Sequence, residues 1–165
     1  MGWPRRPWVR RVAPGRYAVR LSDQERELLG TLVDQLRTLL AAGTDDPNVR
    51  RLFPTAYHED AERDREYQQL VRDELLSRRL ATLDAITASL GATEVDEAQL
   101  SAWMGGVNDL RLVLGTTLDV SDDGVPPGPD APDAPTYAVY AYLSGILDGI
   151  VAALADGLAD SPPPI

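Results

Sequence analysis

The segment SDQERELLGTLVDQLRTLLAAG, residues 22–43, contains the start, the apolar stripe and the end of one amphipathic helix. Ser22 and Glu25 have the spacing of a capping box, in which each side chain accepts a hydrogen bond from an amide at the helix start. Leucine or valine then recurs at helical spacing, at positions 28, 29, 32, 33, 36, 39 and 40. Gly43 is suited to the backbone conformation that ends many helices. The segment predicts a helix with one face packed against a core.

Three further apolar stripes at helical spacing follow along the chain. They extend from about Glu59 to Gly91, from Thr93–Glu97 to Gly115, and from near Thr136 to the C-terminal region. Between the first two helices, Asp46 and Pro47 predict a short helical turn. The last stripe is apolar on nearly every side, so we expect other helices to surround it.

Before residue 22, two short β-favouring runs flank Pro14-Gly15 and predict a hairpin over residues 8–21. If Val12 pairs with Tyr17, the apolar side chains share one face and Arg11 lies on the other. With the helices, this predicts a mainly α fold, a helical bundle of about four to five helices with a short N-terminal β-hairpin.

The length of 165 residues suits one domain. We expect a basic tail at 1–7, a single helical domain at 8–160 and a frayed tail at 161–165. Within the domain, residues 121–135 contain five prolines and four aspartates and predict a mobile loop. The apolar stretch 137–155 approaches the length of a membrane span, but Asp148 near its middle favours a core helix.

The composition excludes several classes of function. There is no cysteine, which excludes disulfides, thiol catalysis and cysteine-based metal sites. The N-terminal residues lack the apolar run of a signal peptide, so we expect a cytoplasmic protein with no membrane anchor.

Charge is distributed unevenly along the chain. The 16 basic residues are all arginine, and 26 acids give a net charge of −10. Residues 1–20 nevertheless contain no acid and form a candidate basic arm of six arginines: Arg5, Arg6, Arg10, Arg11, Arg16 and Arg20. The arm has three interpretations, which are contact with the acidic body of the chain, contact with a protein partner, and contact with nucleic acid.

His58 is the single histidine, and it precedes Glu59, Asp60, Glu62 and Asp64. Such a run could belong to a metal- or ligand-dependent enzyme, which remains the alternative. Hard cations need oxygens that converge from several segments, however, and helical spacing spreads these acids around one axis. The sequence therefore predicts a non-enzymatic protein without a cofactor or a metal site.

One polar group interrupts an apolar stripe, at Asn108, Asp109 and Arg111. Charged side chains in a core need partners, and the preceding helix offers them. We expect Arg111 to pair with Asp73 or Glu74, and Asp109 to pair with Arg78 or Arg79. The cluster is either structural or a site for a partner or ligand.

Three stretches resemble an actinobacterial family, the domain of unknown function numbered twenty-seventeen. They are Asp46–Tyr57 (DPNVRRLFPTAY), Asp73–Leu80 (DELLSRRL) and Val107–Leu118 (VNDLRLVLGTTL). The resemblance implies a small cytoplasmic protein, and some members are AosR-like oxidative-stress transcriptional regulators. It implies no catalytic residue. The redox role attributed to cysteines in the family cannot apply to this chain, so the resemblance implies regulation through an unknown protein partner or another signal.

Overall fold

The structure, a computed structural model, describes residues 7–53, 61–118 and 126–160, and only the backbone of residues 61–64. The strands are β1 (Val9–Ala13), β2 (Arg16–Val19) and β3 (Glu94–Asp96), and the long helices are α1 (Asp23–Ala42), α2 (Ala61–Ser89), α3 (Glu97–Thr117) and α4 (Ala134–Ala159). A 3-10 helix, Pro47–Leu52, lies between α1 and α2 along the chain. The predicted class, a helical bundle with an N-terminal hairpin, is confirmed.

Both ends of α1 have the contacts that its sequence predicts. Ser22 Oγ accepts from the Glu25 amide at 3.2 Å, and Glu25 Oε2 accepts from the Ser22 amide at 2.7 Å. Gly43, with φ 134°, donates its amide to the Leu40 carbonyl. Glu25 also accepts from the indole N–H of Trp8 at 3.2 Å. Burial opposes ionisation of Glu25, but the hydrogen bonds from Ser22 and Trp8 outweigh it and lower the pKa.

The predicted hairpin forms, but in a different register. Tyr17 lies opposite Arg11, and the pairing of β1 with β2 is irregular between Arg11 and Ala13. Such a bulge turns Val12 outward, where it is 41% exposed, and puts Arg11 on the same side of the sheet as the buried Tyr17. The predicted pairing of Val12 with Tyr17, and the placement of Arg11 on the opposite face, are therefore wrong.

A third strand, which the sequence does not predict, completes the sheet. β3 pairs antiparallel with β2, with Val95 opposite Tyr17, and the strand order is β1-β2-β3. Asp96 ends the strand and also caps α3, because its side chain accepts from the Gln99 amide. The start of α3 is therefore fixed beside the hairpin.

One apolar core connects the helices to the sheet. Trp103 of α3 is 2% exposed, and its indole N–H donates to Ser89 Oγ of α2 at 2.7 Å. At Gly106, one turn further along α3, an added Cβ would collide with Ile86, so α2 and α3 pack closely there. The N-terminal part of α2 extends away from this core, since Tyr67 and Leu70 are exposed.

α4 begins at Ala134, two residues before the predicted start, and it contacts α3 and β1. Its buried residues are Leu143, Ile146, Ile150 and Ala153, whereas Val151 and Leu158 are exposed. The expectation that helices surround α4 is wrong, because the hairpin covers one flank, where the Trp8 ring lies against Gly145. In the described ranges, α4 is the one helix long and apolar enough to cross a membrane, by length and composition alone.

The predicted loop at 121–135 is described only in part. Residues 121–125 lie outside the described ranges, and a turn follows in which the Ala131 amide donates to the Gly128 carbonyl at 3.0 Å. The predicted tails at 1–7 and 161–165 lie outside these ranges except for Pro7.

Candidate interaction site

A buried ion pair joins α2 to α3. Arg79 donates to the carboxylate of Asp109, whose side chain is only 7% exposed, as the sequence predicts. The same guanidinium donates to the Leu52 carbonyl at 2.9 Å and lies 5.7 Å from the centre of the Phe53 ring. One arginine therefore connects the 3-10 helix region, α2 and α3.

The three stretches that carry the family resemblance meet at this ion pair. Leu52 and Phe53 belong to the first stretch, Arg79 to the second and Asp109 to the third. A buried charge that loses its partner is strongly destabilising, so this contact ties the three segments to one arrangement. We interpret the pair as a structural centre that positions the surrounding surface.

Burial raises the pKa of Asp109, and the hydrogen bond and positive charge of Arg79 offset only part of that effect. When the pKa of an acid is higher in the folded state than in the unfolded state, its protonated form stabilises the fold. This contribution to the free energy of unfolding is lost as pH rises from the unfolded-state pKa through the folded-state pKa. Relative to Asp109→Asn, we expect the unfolding free energy of the wild type to fall as pH rises from about 4 and then to level off. Urea unfolding of both proteins across this range measures the difference, and a rise with pH would contradict the prediction.

Arg111 faces α4 instead of α2. Its Nε donates to Ser144 Oγ at 2.9 Å, and its guanidinium lies 5.4 Å from the centre of the Tyr140 ring. The predicted pairing with Asp73 or Glu74 is wrong. Asp109 faces α2, and Arg111, two residues later on the same helix, points roughly 200° away from Asp109. Arg111 therefore cannot face α2 as well.

The other members of the predicted polar cluster are not brought to Arg111. Glu74 pairs with Arg78 along the exposed surface of α2, and Asp73 accepts from Gln69 Nε2 at 3.0 Å. Asn108 is half-buried on α3. The structure thus divides the predicted cluster into the ion pair, the surface of α2 and the contact with α4.

We expect Arg111→Gln to lower the free energy of unfolding by only about 1 to 2 kcal/mol. The substitution removes a contact with an aromatic ring and weakens a hydrogen bond to a hydroxyl, but it leaves no carboxylate unpaired. Urea unfolding measures the loss. A loss as large as that of a broken buried ion pair would show that Arg111 has an acidic partner.

Gly115 allows another arginine to approach the same ring. An added Cβ there would lie 3.0 Å from Arg51 Nη1 and 3.3 Å from Tyr140 Cε2. The helix continues to Thr117, so the prediction that Gly115 ends it is wrong. Arg50, the preceding residue, is also exposed, but one step along a 3-10 helix turns its side chain about 120° away from that of Arg51.

We call Arg51 and Arg111 the arginine cluster. Sequence reasoning identified only Arg111 as a site residue. Arg50 and Arg51 stand in the first family stretch, but nothing local to that stretch indicates that it packs against the end of α3.

A second feature lies between α1, the 3-10 helix and α3. It is an open apolar groove of about 200 Å³, which we call the α1–α3 groove. Its walls are Leu32, Leu36 and Leu39 of α1 and Leu110, Val113 and Leu114 of α3, with Gln35, Asn48 and Thr117 as the polar lining.

Two arginines of the predicted basic arm pair with acids of the body. Arg11 pairs with Asp160 after the end of α4, and Arg16 pairs with Glu94 of β3. Arg10 and Arg20 are exposed and form no ion pair within the described residues. Arg5 and Arg6 lie outside those ranges. Contact with the acidic body thus accounts for Arg11 and Arg16, and the other two interpretations of the arm stay predictions.

The residues of the predicted metal-site alternative are mostly outside the described part of the chain. His58, Glu59 and Asp60 lie outside it, and the side chains of Glu62 and Asp64 are not described. Among the described residues, no group of three or more histidine, aspartate or glutamate side chains is placed to hold a metal ion.

Residues 5–154 match the family described as Domain of unknown function (DUF2017), and the chain belongs to this family. The chain is 29% identical over 155 residues to the "Oxidative stress regulator AosR" of Mycobacterium tuberculosis and to that of Mycobacterium bovis. The match covers 81% of this chain and 67% of each relative. A relative from Mycobacterium leprae is 30% identical over 130 residues, or 67% of this chain and 59% of the relative. No solved structure matches the chain.

Proposed function

We propose that the chain is a non-enzymatic, cytoplasmic regulatory protein that acts on transcription through contact with a protein partner. The observation that carries this proposal is its similarity to oxidative stress regulators over 81% of its length. Those relatives are longer, and the chain spans about two thirds of their length. A regulatory role for the family follows from the relatives' names, and the mode of action is our inference.

The arrangement of charges supports action by contact. Arg79 and Asp109 pair with each other inside the fold, and Arg11 pairs with Asp160. By contrast, Arg10 and Arg20 on the hairpin are exposed on an otherwise acidic chain and form no ion pair within the described residues. Local positive charge favours association with an acidic surface, and the negative charge on the rest of the chain repels the same surface elsewhere.

The chain has no thiol, so a disulfide cannot report oxidation in it. In this proposal the oxidation signal therefore reaches the chain through its partner. Diamide, which oxidises thiols, should leave the purified chain unchanged in mass and in melting temperature, while a thiol on the partner remains free to respond.

The test is a gene deletion in the source organism, followed by measurement of transcripts before and after treatment with diamide. We expect the deletion to change a set of oxidant-responsive transcripts, and the wild-type chain supplied in trans to restore them. If the deletion strain shows the same oxidant-responsive transcripts as the wild type, the proposed regulatory role is wrong.

Direct DNA binding through the basic arm is the competing mode, since Arg10 and Arg20 are exposed. We expect weak or absent binding of labelled duplex DNA, because the net charge of −10 repels the phosphates. Fluorescence anisotropy against salt measures this, with Arg10→Ala/Arg20→Ala as the matched variant. Micromolar binding at physiological salt that is weakened in that variant, with a log–log salt slope that becomes shallower by about 2, would establish direct DNA contact instead.

A further inference from the structure

A polar cavity lies where the turn of the hairpin meets the start of α3 and the end of α4. Its volume is about 500 Å³, which is within the usual range of small-molecule sites. We call it the hairpin cavity, and its lining residues are Arg11, Pro14, Gly15, Tyr17, Glu97, Gly157 and Asp160. The polar side chains of this lining come from the sheet, from α3 and from the end of α4, so the fold brings them together.

Tyr17 brings an unpaired hydroxyl to the hairpin cavity. The residue is only 1% exposed, and its hydroxyl forms no hydrogen bond within the described residues. An added Cβ at Gly157 would lie 2.6 Å from Tyr17 Oη, so the hydroxyl lies against the last turns of α4. Buried hydroxyls are normally hydrogen-bonded, because a buried polar group without a partner costs free energy. A ligand in the cavity can supply that partner.

Arg11 presents a second unpaired group at the same place. One terminal nitrogen, Nη1, donates to the carboxylate of Asp160. Nε, by contrast, is buried and has no hydrogen-bond partner within the described residues. The added Cβ at Gly157 would also lie 4.0 Å from Arg11 Nε, so this nitrogen and the Tyr17 hydroxyl face the same space. Arg11 therefore keeps an unused donor, although its charge is already paired.

We propose that the hairpin cavity binds a free α-amino acid, with the ligand's carboxylate on Arg11 and Tyr17 and its ammonium group on Glu97. The Nε–H and one N–H of Nη2 leave a guanidinium in parallel, which is the geometry that binds the two oxygens of a carboxylate. A tyrosine hydroxyl can donate to one of the same oxygens. Such binding does not depend on the proposed regulatory role, because the unpaired groups belong to the fold.

The charges of the cavity favour a ligand that carries a positive group as well. The lining contains one arginine and two carboxylates, a net charge of −1, which opposes a simple anion. Glu97 is exposed at the first position of α3 and forms no ion pair within the described residues. The last turn of α4 contains no basic residue, so its carbonyl groups add to the preference for a cation. A zwitterion meets both requirements.

The test begins with the full-length chain and the common L-amino acids at millimolar concentration. Thermal unfolding followed by circular dichroism should show that at least one of them raises the melting temperature. Isothermal titration calorimetry then gives the dissociation constant of the most stabilising amino acid. Its carboxamide lacks the carboxylate and its N-acetyl derivative lacks the ammonium group, so we expect each to bind about tenfold or more weakly.

Tyr17→Phe separates a ligand contact from a structural role. The substitution keeps the buried ring and removes a hydroxyl that has no partner within the described residues, so the melting temperature without ligand should not fall. The affinity for the amino acid should nevertheless fall about tenfold. Arg11→Lys keeps a positive charge beside Asp160 but removes the Nε donor, and we expect a loss of affinity of similar size.

Glu97→Gln removes the carboxylate that is assigned to the ammonium group, and it should also weaken binding about tenfold. Glu27→Gln is the matched control, because it makes the same change at an exposed position of α1 outside the cavity. We expect the control to change the dissociation constant by less than about twofold. Circular dichroism of each variant confirms that it is folded.

Three results would overturn the proposal. The first is that no amino acid raises the melting temperature or binds in calorimetry. The second is that the carboxamide or the N-acetyl derivative binds as tightly as the parent amino acid, which would show that the cavity does not recognise a zwitterion. The third is that neither Tyr17→Phe nor Arg11→Lys weakens binding, which would place the ligand elsewhere on the chain.

Discussion

Replacing Arg79 or Asp109 by alanine should lower the free energy of unfolding by about 3 to 5 kcal/mol, because each change leaves the other charge buried without its partner. Arg79→Ala also removes the donor to the Leu52 carbonyl and the contact with Phe53. We therefore expect its effect to be the larger of the two. Urea unfolding followed by circular dichroism measures both losses.

Two controls identify the cause of that loss. Arg78→Ala removes an exposed arginine that pairs with Glu74 along α2, so it should cost less than about 1 kcal/mol. The double variant Arg79→Met/Asp109→Leu replaces both charges by apolar side chains, so it should be more stable than either alanine variant. Single alanine variants as stable as Arg78→Ala would show that the ion pair does not support the fold.

Trp103→Ala should cost about 3 to 5 kcal/mol, since it removes the largest fully buried side chain of the described residues and leaves a cavity between α2 and α3. Close packing at Gly106, one turn away, limits how far the two helices can move to fill that cavity. Urea unfolding followed by circular dichroism is the appropriate measurement, because it does not depend on tryptophan fluorescence.

Trp103→Phe keeps most of the apolar volume and removes only the hydrogen bond to Ser89, so its cost should be clearly smaller than that of alanine. Ser89→Ala removes the same bond from the other side and should resemble Trp103→Phe. Equal losses for Trp103→Phe and Trp103→Ala would attribute the stability to the hydrogen bond and not to the packed volume.

The parts of this fold that were predictable are those whose signals lie within one segment. The capping box at Ser22 and Glu25, the leucine stripe and Gly43 are all contained in α1. The partner of Asp109 was predictable for a related reason, because α2 and α3 are consecutive long helices and a charged side chain in an apolar stripe requires an opposite charge.

The missed features depend on contacts between distant segments. β3 is a strand because it pairs with β2, and Arg16 and Glu94 are 78 positions apart. Arg111 has its contacts on α4, where Ser144 is 33 positions away. A single irregularity at Val12 moved Arg11 to the inner side of the sheet, and neither composition nor periodicity indicates where such a bulge occurs.

The features of the candidate site that the sequence did not predict also depend on contacts between distant segments. Arg111 was identified because it interrupts an apolar stripe, but Arg51 becomes its neighbour only through the missing Cβ of Gly115. The α1–α3 groove likewise requires the crossing of two helices that are not consecutive in the chain.

The attachment of the hairpin to α4 has a consequence for the order of folding. Trp8 lies against Gly145, and Arg11 pairs with Asp160, 149 positions further along the chain. Contacts between residues so far apart raise contact order and slow the folding step that forms them. During synthesis on the ribosome, β1 emerges before α4 and receives its cover only after α4 has been made. Until then its apolar side chains are open to chaperones and to wrong strand pairing, so hydrogen exchange after refolding should protect the amides of α1 and α3 before those of β1.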